Sequence, residues 1–260
     1  HLCASCMHDA RSCQGHSGHI ELAFPCFHIG FIETVIRTLR MSCYFCCRVC
    51  VTPEDEVLVR TQSGKTRFQT LHNILKARKT CPHCEMTRPV YSRTPLGIRI
   101  EWPVDTQWED EEEESICKLP FTARDALSIL QNLSSTDVSQ LGLDPDHATP
   151  SNMILQNLVV PPPCTRPAIY SSEGSRSRGQ NELTIRLLEV LKRSHELCTF
   201  MQGHTWSLDT KVTPEFLERL NRLQYEIFML VNSNLRIQKP AGMGRNGGNT
   251  QIKSLTDRLK

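Results

Sequence analysis

At 260 residues, 39% hydrophobic and 22% charged, the chain has the apolar content for one large or two modest domains and lacks the imbalance of a disordered or fibrous polypeptide. A formal net charge of +2 excludes a protein that grips nucleic acid over its whole surface, so any basic contact has to be local. No apolar run reaches the roughly 18 residues of a membrane span, and no leader pattern is evident, so neither is expected.

The chain opens on His1 and not Met, which reads as a start inside a longer polypeptide. Cys3, Cys6, Cys13 and His16 then follow as C-x2-C-x6-C-x2-H, four soft or borderline donors in one short loop, sufficient to close a tetrahedral zinc site locally. His19 lies one step beyond a set that is already complete, so it reads as structural. A second donor set, Cys43, Cys46, Cys81 and Cys84, repeats the pattern over a longer span. Cys46 is followed at once by Cys47 and then Cys50, so either C-x2-C pair could join Cys81 and Cys84. Nine of the thirteen cysteines fall in C-x2-C or C-x2-H pairs, which suits metal in a reducing compartment better than disulfides.

Between the two sets, Gly18–Ala23 alternates like a short strand. From Phe27 to Leu39, Ile29, Phe31, Ile32, Val35, Ile36 and Leu39 recur at helical spacing, with His28 read as packing or capping. Val57, Val59 and Thr61 have the period of a strand, Phe68 to Ala77 that of a helix, and Val90 to Trp102 alternates as a hairpin. The acidic run Glu109–Glu114 reads as a solvated loop.

Thr122 with Asp125 three residues on announces a helix carrying Leu127, Leu130 and Leu133. A shorter one is expected from Ser135 or Thr136 to Gly142. Asn152 to Val160 runs into Pro161-Pro162-Pro163, a stiff connector. Ser171–Gly179 reads as an exposed loop. Leu183, Leu187, Leu188 and Leu191 mark a long helix. Thr213-Pro214-Glu215 starts another, whose buried face is expected at Leu217, Leu220, Leu223, Ile227, Phe228 and Val231. From Arg236 to Lys260 the chain carries six Lys or Arg against one Asp, is Gly-rich in its middle, and shows no evident helix cap. Gly242-x-Gly244-x2-Gly247 matches a dinucleotide fingerprint in letters but lacks the strand before and the helix after it.

The first loop continues as Gln14-Gly15-His16-Ser17-Gly18-His19-Ile20-Glu21-Leu22-Ala23, followed by Phe27-His28-Ile29-Gly30-Phe31. Together these resemble the N-terminal part of the largest subunit of multisubunit DNA-directed RNA polymerases, of the eukaryotic, archaeal or large-DNA-virus type. Three further stretches resemble that family in the same order. They are Val159-Val160-Pro161-Pro162-Pro163-Cys164-Thr165-Arg166-Pro167-Ala168-Ile169, Arg178-Gly179-Gln180-Asn181-Glu182-Leu183-Thr184, where Asn181-Glu182 replaces the family's usual acidic pair, and Ile252-Lys253-Ser254-Leu255-Thr256-Asp257-Arg258-Leu259-Lys260.

The resemblance implies an α+β fold: an irregular, zinc-stabilised clamp core and clamp head, with a helical hairpin carrying lid and rudder loops. It implies clamp core with the first zinc loop at 1–42, a zinc-bound clamp head at 43–118, and clamp-core helices at 119–260, the lid near 168–181 and the rudder near 233–255. Family ligands fall on Cys43 and Cys46 without a gap, which favours that register. Two structural zinc ions are therefore expected, with the catalytic magnesium elsewhere in the full subunit, because no Asp-rich catalytic loop occurs in these residues. Arg176 and Arg178 in the lid, and Lys253, Arg258 and Lys260 at the rudder, are the expected phosphate contacts. Expected partners are the second-largest subunit, other polymerase subunits, template DNA and the RNA–DNA hybrid, with no membrane. The expected location is the nucleus, or a virion or cytoplasmic replication site for a viral enzyme. The rival from another class is a stand-alone zinc interaction module of the RING type, which the long gap from His16 to Cys43 disfavours as a pair of interleaved sites.

Overall fold

The structure is a computed structural model and describes residues 2–9, 11–103, 117–170, 178–203, 213–241, 243 and 254–258. Helices and small sheets are mixed along the chain, an α+β arrangement. It divides into two compact units, one of residues 25–155 and one joining residues 1–24 to residues 156–260. The boundaries fall within strands β1 (Gly18–Phe27) and β5 (Ile154–Val160), which make a two-stranded sheet.

The unit of residues 25–155 is built on α1 (Ile32–Met41), which buries Ile32, Val35, Ile36, Leu39 and Met41 along one stripe. The helix starts later than its periodicity suggests, because Phe27 ends β1 and a turn at His28–Phe31 intervenes. The segment around Val57 is not a strand but helix α2 (Pro53–Val59). Its start signals outweigh the period of two: the Thr52 hydroxyl accepts from Asp55 N–H, the Asp55 carboxylate accepts from Thr52 N–H, and Pro53 occupies the first turn. Val57 and Leu58 stay exposed and only Val59 turns inward.

Helix α3 (Gly64–Leu75) buries Phe68, Leu71 and Leu75. The expected hairpin is present as β2 (Val90–Arg93) and β3 (Ile98–Trp102), paired antiparallel with Val90 opposite Glu101. A third strand, β4 (Cys117–Phe121), pairs with β3 and was not evident from periodicity. Helices α4 (Ala123–Gln131) and α5 (Ser135–Gln140) each begin with a reciprocal cap, Thr122 with Asp125 and Ser134 with Asp137. Gly142 ends α5 at φ +80°, and a Cβ there would lie 2.8 Å from the Gly64 carbonyl, so only glycine fits.

In the other unit β6 (Ile169–Tyr170) and β7 (Arg178–Gly179) pair antiparallel, and the long helices α6 (Glu182–Gln202) and α7 (Pro214–Val231) form the main packing. Asn181 caps α6 and Thr213 caps α7, with Pro214 in its first turn. The buried stripe of α6 is Leu183, Leu187, Val190, Ser194 and Leu197; Leu188 and Leu191 are exposed, at 47% and 48%. The sequence misled because Ser194 breaks the apolar lettering, yet its hydroxyl accepts from the Ala23 N–H of β1 at 2.9 Å.

On α7, Leu220, Leu223, Ile227 and Phe228 are buried as expected, with Phe216 and Leu230 in place of Leu217 and Val231. Phe216 meets Phe24 edge to face at 5.1 Å. A short final helix, α8 (Leu255–Arg258), does carry a cap: Ser254 Oγ accepts from Asp257 N–H and Ser254 N–H donates to Asp257 Oδ2. The acidic run at 109–114, the expected loop at 171–177 and most of the glycine-rich stretch at 242–253 lie outside the described residues.

Candidate metal centres

Three segments of the chain fold into the same turn. In each, the first cysteine donates its N–H to the carbonyl five residues on, and its own carbonyl accepts from the residue four on. The pairs are Cys3 with His8 and Met7, Cys43 with Arg48 and Cys47, and Cys81 with Met86 and Glu85. The residue four on has positive φ in every copy: Met7 at 58°, Cys47 at 56° and Glu85 at 61°. The turn aims both cysteines of a C-x2-C pair at one point and turns backbone N–H groups toward the first sulfur. It also explains why Cys47 is not aimed with them: it is the left-handed residue of its own turn.

The first centre combines one such turn with Cys13 and His16. The donor atoms of Cys3, Cys6, Cys13 and His16 lie within 4.8 Å of one another. Asp9 forms the bend between the halves by accepting from Ser12 N–H at 2.8 Å, and its carbonyl accepts from Cys13 N–H. Gly15, at φ +87°, lies so close to the Pro162-Pro163 segment that a Cβ would be 2.9 Å from Pro163 Cδ. His19 is exposed and 3.7 Å from Glu21, outside the donor set.

The second centre joins the other two turns. The sulfurs of Cys43, Cys46, Cys81 and Cys84 lie within 4.8 Å of one another, with Cys43 to Cys84 at 3.5 Å and Cys46 to Cys81 at 3.7 Å. A disulfide requires about 2.05 Å. Four thiolates at about 2.3 Å around one zinc sit about 3.8 Å apart, so the separations fit a metal tetrahedron. The same arithmetic gives about 3.6 Å for a sulfur and an imidazole nitrogen on zinc, and Cys13 Sγ to His16 Nε2 is 3.6 Å.

Ionisation preferences follow the turns. The N–H groups of Cys6 and Ser5 draw the Cys3 thiol down to about 6. Burial resists ionisation at Cys81, but N–H groups of His83 and Cys84 outweigh it and bring that thiol to about 6. Burial pushes the Cys43 thiol up. A divalent cation would offset the repulsion among such sulfurs.

The second centre is braced by residues that motif reading passed over. His83 Nε2 meets the Val49 carbonyl at 2.9 Å and so ties one turn to the other. Arg78 donates to the Cys50 carbonyl at 2.6 Å and to Asp55 at 2.9 Å. Arg88 is buried and donates to the carbonyls of Leu75, Arg78 and Arg40, closing the C-terminal ends of α3 and α1. Trp102 meets Tyr44 at 5.2 Å and Phe45 at 5.7 Å, fixing the middle turn against β3. The signal in sequence was the repeated C-x2-C followed one and two residues later by the turn's return, not any charge pattern.

The basic residues expected at nucleic acid are scattered in outcome. Arg176, Lys253 and Lys260 lie outside the described residues, and Arg178 is placed by its backbone on β7, opposite Tyr170. Arg258 is already engaged: its guanidinium is 3.2 Å from Asn181 Oδ1 and 3.5 Å from Glu182 Oε2.

Comparison with known proteins gives these centres a family. The sequence profile described as RNA polymerase Rpb1, domain 1, matches residues 1–260. DNA-directed RNA polymerase II subunit RPB1 of Euplotoides octocarinatus is 32% identical over 75% of this chain and 43% of its own length. DNA-directed RNA polymerase subunit Rpo1N of Thermococcus celer is 30% identical over 99% of the chain and 28% of its own length. The Rpo1N subunit of Methanocaldococcus jannaschii is 30% identical over 100% of the chain and 18% of its own length. The chain thus spans less than half the length of these relatives. It belongs to the RNA polymerase Rpb1 family, to which it contributes the first domain.

Proposed function

We propose that this chain is the clamp portion of the largest subunit of a DNA-directed RNA polymerase, and that it holds two structural zinc ions. The observation that carries the reading is the pairing of the family match over the whole chain with two complete four-donor clusters, each made from consecutive pairs of donors three residues apart. Consecutive pairing also speaks against the interleaved sites of a RING-type module.

When bound, each zinc supplies a tetrahedral crosslink and no chemistry on substrate. The chain's own residues do the rest. Cys3, Cys6, Cys13 and His16 fold the opening loop against Pro162 and Pro163, from which the chain runs to β6, β7 and α6. Cys43, Cys46, Cys81 and Cys84 join two turns into the core between α1 and the three-stranded sheet. The lid corresponds to about 168–181 and the rudder to about 233–255, with clamp core at 1–42 and 119–260 and clamp head at 43–118. Arg176, Arg178, Lys253 and Lys260 supply phosphate contacts to template DNA and the RNA–DNA hybrid. Arg258 acts at the base of these loops through Asn181 and Glu182. Nucleotidyl transfer and its magnesium belong to other parts of the enzyme, assembled with the second-largest subunit. The location follows the host: nucleus for a cellular enzyme, virion or cytoplasmic replication site for a viral one.

The reading is tested by purifying the polymerase that contains this chain and measuring zinc by mass spectrometry with and without Cys3→Ser and Cys43→Ser. Each variant is expected to lose one zinc relative to the parent, with weaker retention of a transcription bubble at raised salt. Recovery of a metal-free chain that never associates with a second large subunit would refute it.

A further inference from the structure

The second centre contains more sulfur than it needs. Cys50 is fully buried and belongs to the same cluster as Cys43 and Cys81, against which Cys46 and Cys84 pack. Its thiol interacts with those of Cys81 and Cys46. Its thiol reaches the Arg48 carbonyl only at a long 3.9 Å. By contrast its backbone is held at both ends: the N–H donates to the Met41 carbonyl at 2.8 Å and the carbonyl accepts from Arg78 at 2.6 Å. The thiol can therefore turn about its side-chain bonds without moving the chain. Cys47, the other surplus cysteine, is committed to the left-handed position of its turn, and its sulfur lies 4.0 Å from the Tyr44 carbonyl.

We infer that Cys50 is a reserve metal ligand, able to enter the coordination sphere in place of Cys46. The argument is one of position and chemistry. A buried soft donor outside the four-sulfur donor set packs in the same cluster and interacts with Cys81 and Cys46. Removing Cys46 leaves a three-coordinate metal that gains by taking a fourth thiolate. Cys43 faces Cys84 at 3.5 Å and its N–H closes the turn by donating to the Arg48 carbonyl, so replacement is inferred for Cys46 and not for Cys43. The inference rests on the zinc reading of the second cluster and extends it from four sulfurs to five.

The experiment compares zinc content in the full chain for the parent, Cys50→Ser, Cys46→Ser, the Cys46→Ser/Cys50→Ser double variant and Cys43→Ser. Cobalt substitution supplies the count of sulfur ligands from its visible spectrum. The parent, Cys50→Ser and Cys46→Ser are expected to keep both metals, with Cys46→Ser retaining the spectrum of four sulfurs. The double variant and Cys43→Ser are expected to lose the second metal, a drop of one half in total zinc. Loss of that metal from Cys46→Ser, whether or not the chain stays folded, overturns the inference while leaving the zinc reading intact. A parent chain without the second metal would instead overturn the zinc reading itself.

Discussion

The two donor loops share a turn but not a setting, and the contrast bears on what a metal would do in each place. The loop of Cys3 to His16 has partly exposed cysteines and an exposed histidine, and Gly15 closely approaches Pro163. The site of Cys43 to Cys84 has two sulfurs fully or nearly fully buried, and His83, Arg78 and Arg88 clasp the surrounding carbonyls. The first loop has little reason to hold its shape without a metal. The second is part of a core, where the donor cysteines, helices and arginines are packed together.

The largest expected effect follows from that contrast. Cys43→Ser should remove the second metal and destabilise residues 25–155 by on the order of 5 kcal/mol or more, since metal binding is folding energy in such sites. Cys3→Ser should leave the urea unfolding of residues 25–155 nearly unchanged. Equal losses in a denaturation series would break the distinction. Chelator challenge reads the same contrast kinetically: a colorimetric zinc chelator should draw one metal quickly, from the exposed site, and the second slowly. Release in a single phase, or a fast phase that survives Cys3→Ser, would reverse the assignment.

Arg88→Ala should cost about 3 kcal/mol in urea unfolding, because several buried carbonyls lose their donor at once. Gly15→Ala, at positive φ and against Pro163, should cost about 1–2 kcal/mol and weaken only the first metal. Its effect on zinc release from the second site should be nil, which a chelator time course checks. In the opposite direction, Glu85→Gly should stabilise by up to about 1 kcal/mol, since glycine adopts the left-handed position without strain.

The smallest effect concerns the other unit's helices. Burial raises the Glu226 carboxyl above the ordinary carboxylate range, only partly offset by Arg186. The folded state therefore binds this proton more tightly than the unfolded state. Stability must fall as pH rises from the unfolded carboxylate value, about 4.3, through the raised folded one. Glu226→Gln should remove that slope, and subtracting variant from parent cancels the metals' own pH dependence. A difference that is flat with pH would show the carboxyl to be fully matched by Arg186.

Much of this was legible in the letters. Both donor sets, the caps at Thr122 and Thr213, and the hairpin after the second set follow from local chemistry, which a sequence states directly. What escaped was whatever depends on distant partners. The period of Val57, Val59 and Thr61 suggested a strand because sheet and helix compete over so short a run, and the Thr52–Asp55 cap decides the matter. Leu188 and Leu191 were assigned inward because the true stripe passes through Ser194, whose role appears only when β1 is beside it. Arg88 gave no sign at all, since a lone arginine after a turn reads as surface charge until three carbonyls converge on it. Arg258 reads from the sequence as a phosphate contact, and its contacts with Asn181 and Glu182 depend on folding.

Asp257 carries a consequence for the evolution of the stretch that ends at it. Its two oxygens accept from Ser233 Oγ at 2.7 Å, Asn234 Nδ2 at 2.8 Å and Ser254 Oγ at 2.6 Å, so one carboxylate pins the chain on both sides of residues 235–253. Once the ends of a segment are fastened, the entropy of closing it grows only with the logarithm of its length, about 0.6 kcal/mol per doubling. Insertions and deletions between the pins are thus nearly neutral for folding, and lineages are free to lengthen or shorten this stretch without changing the pinned ends.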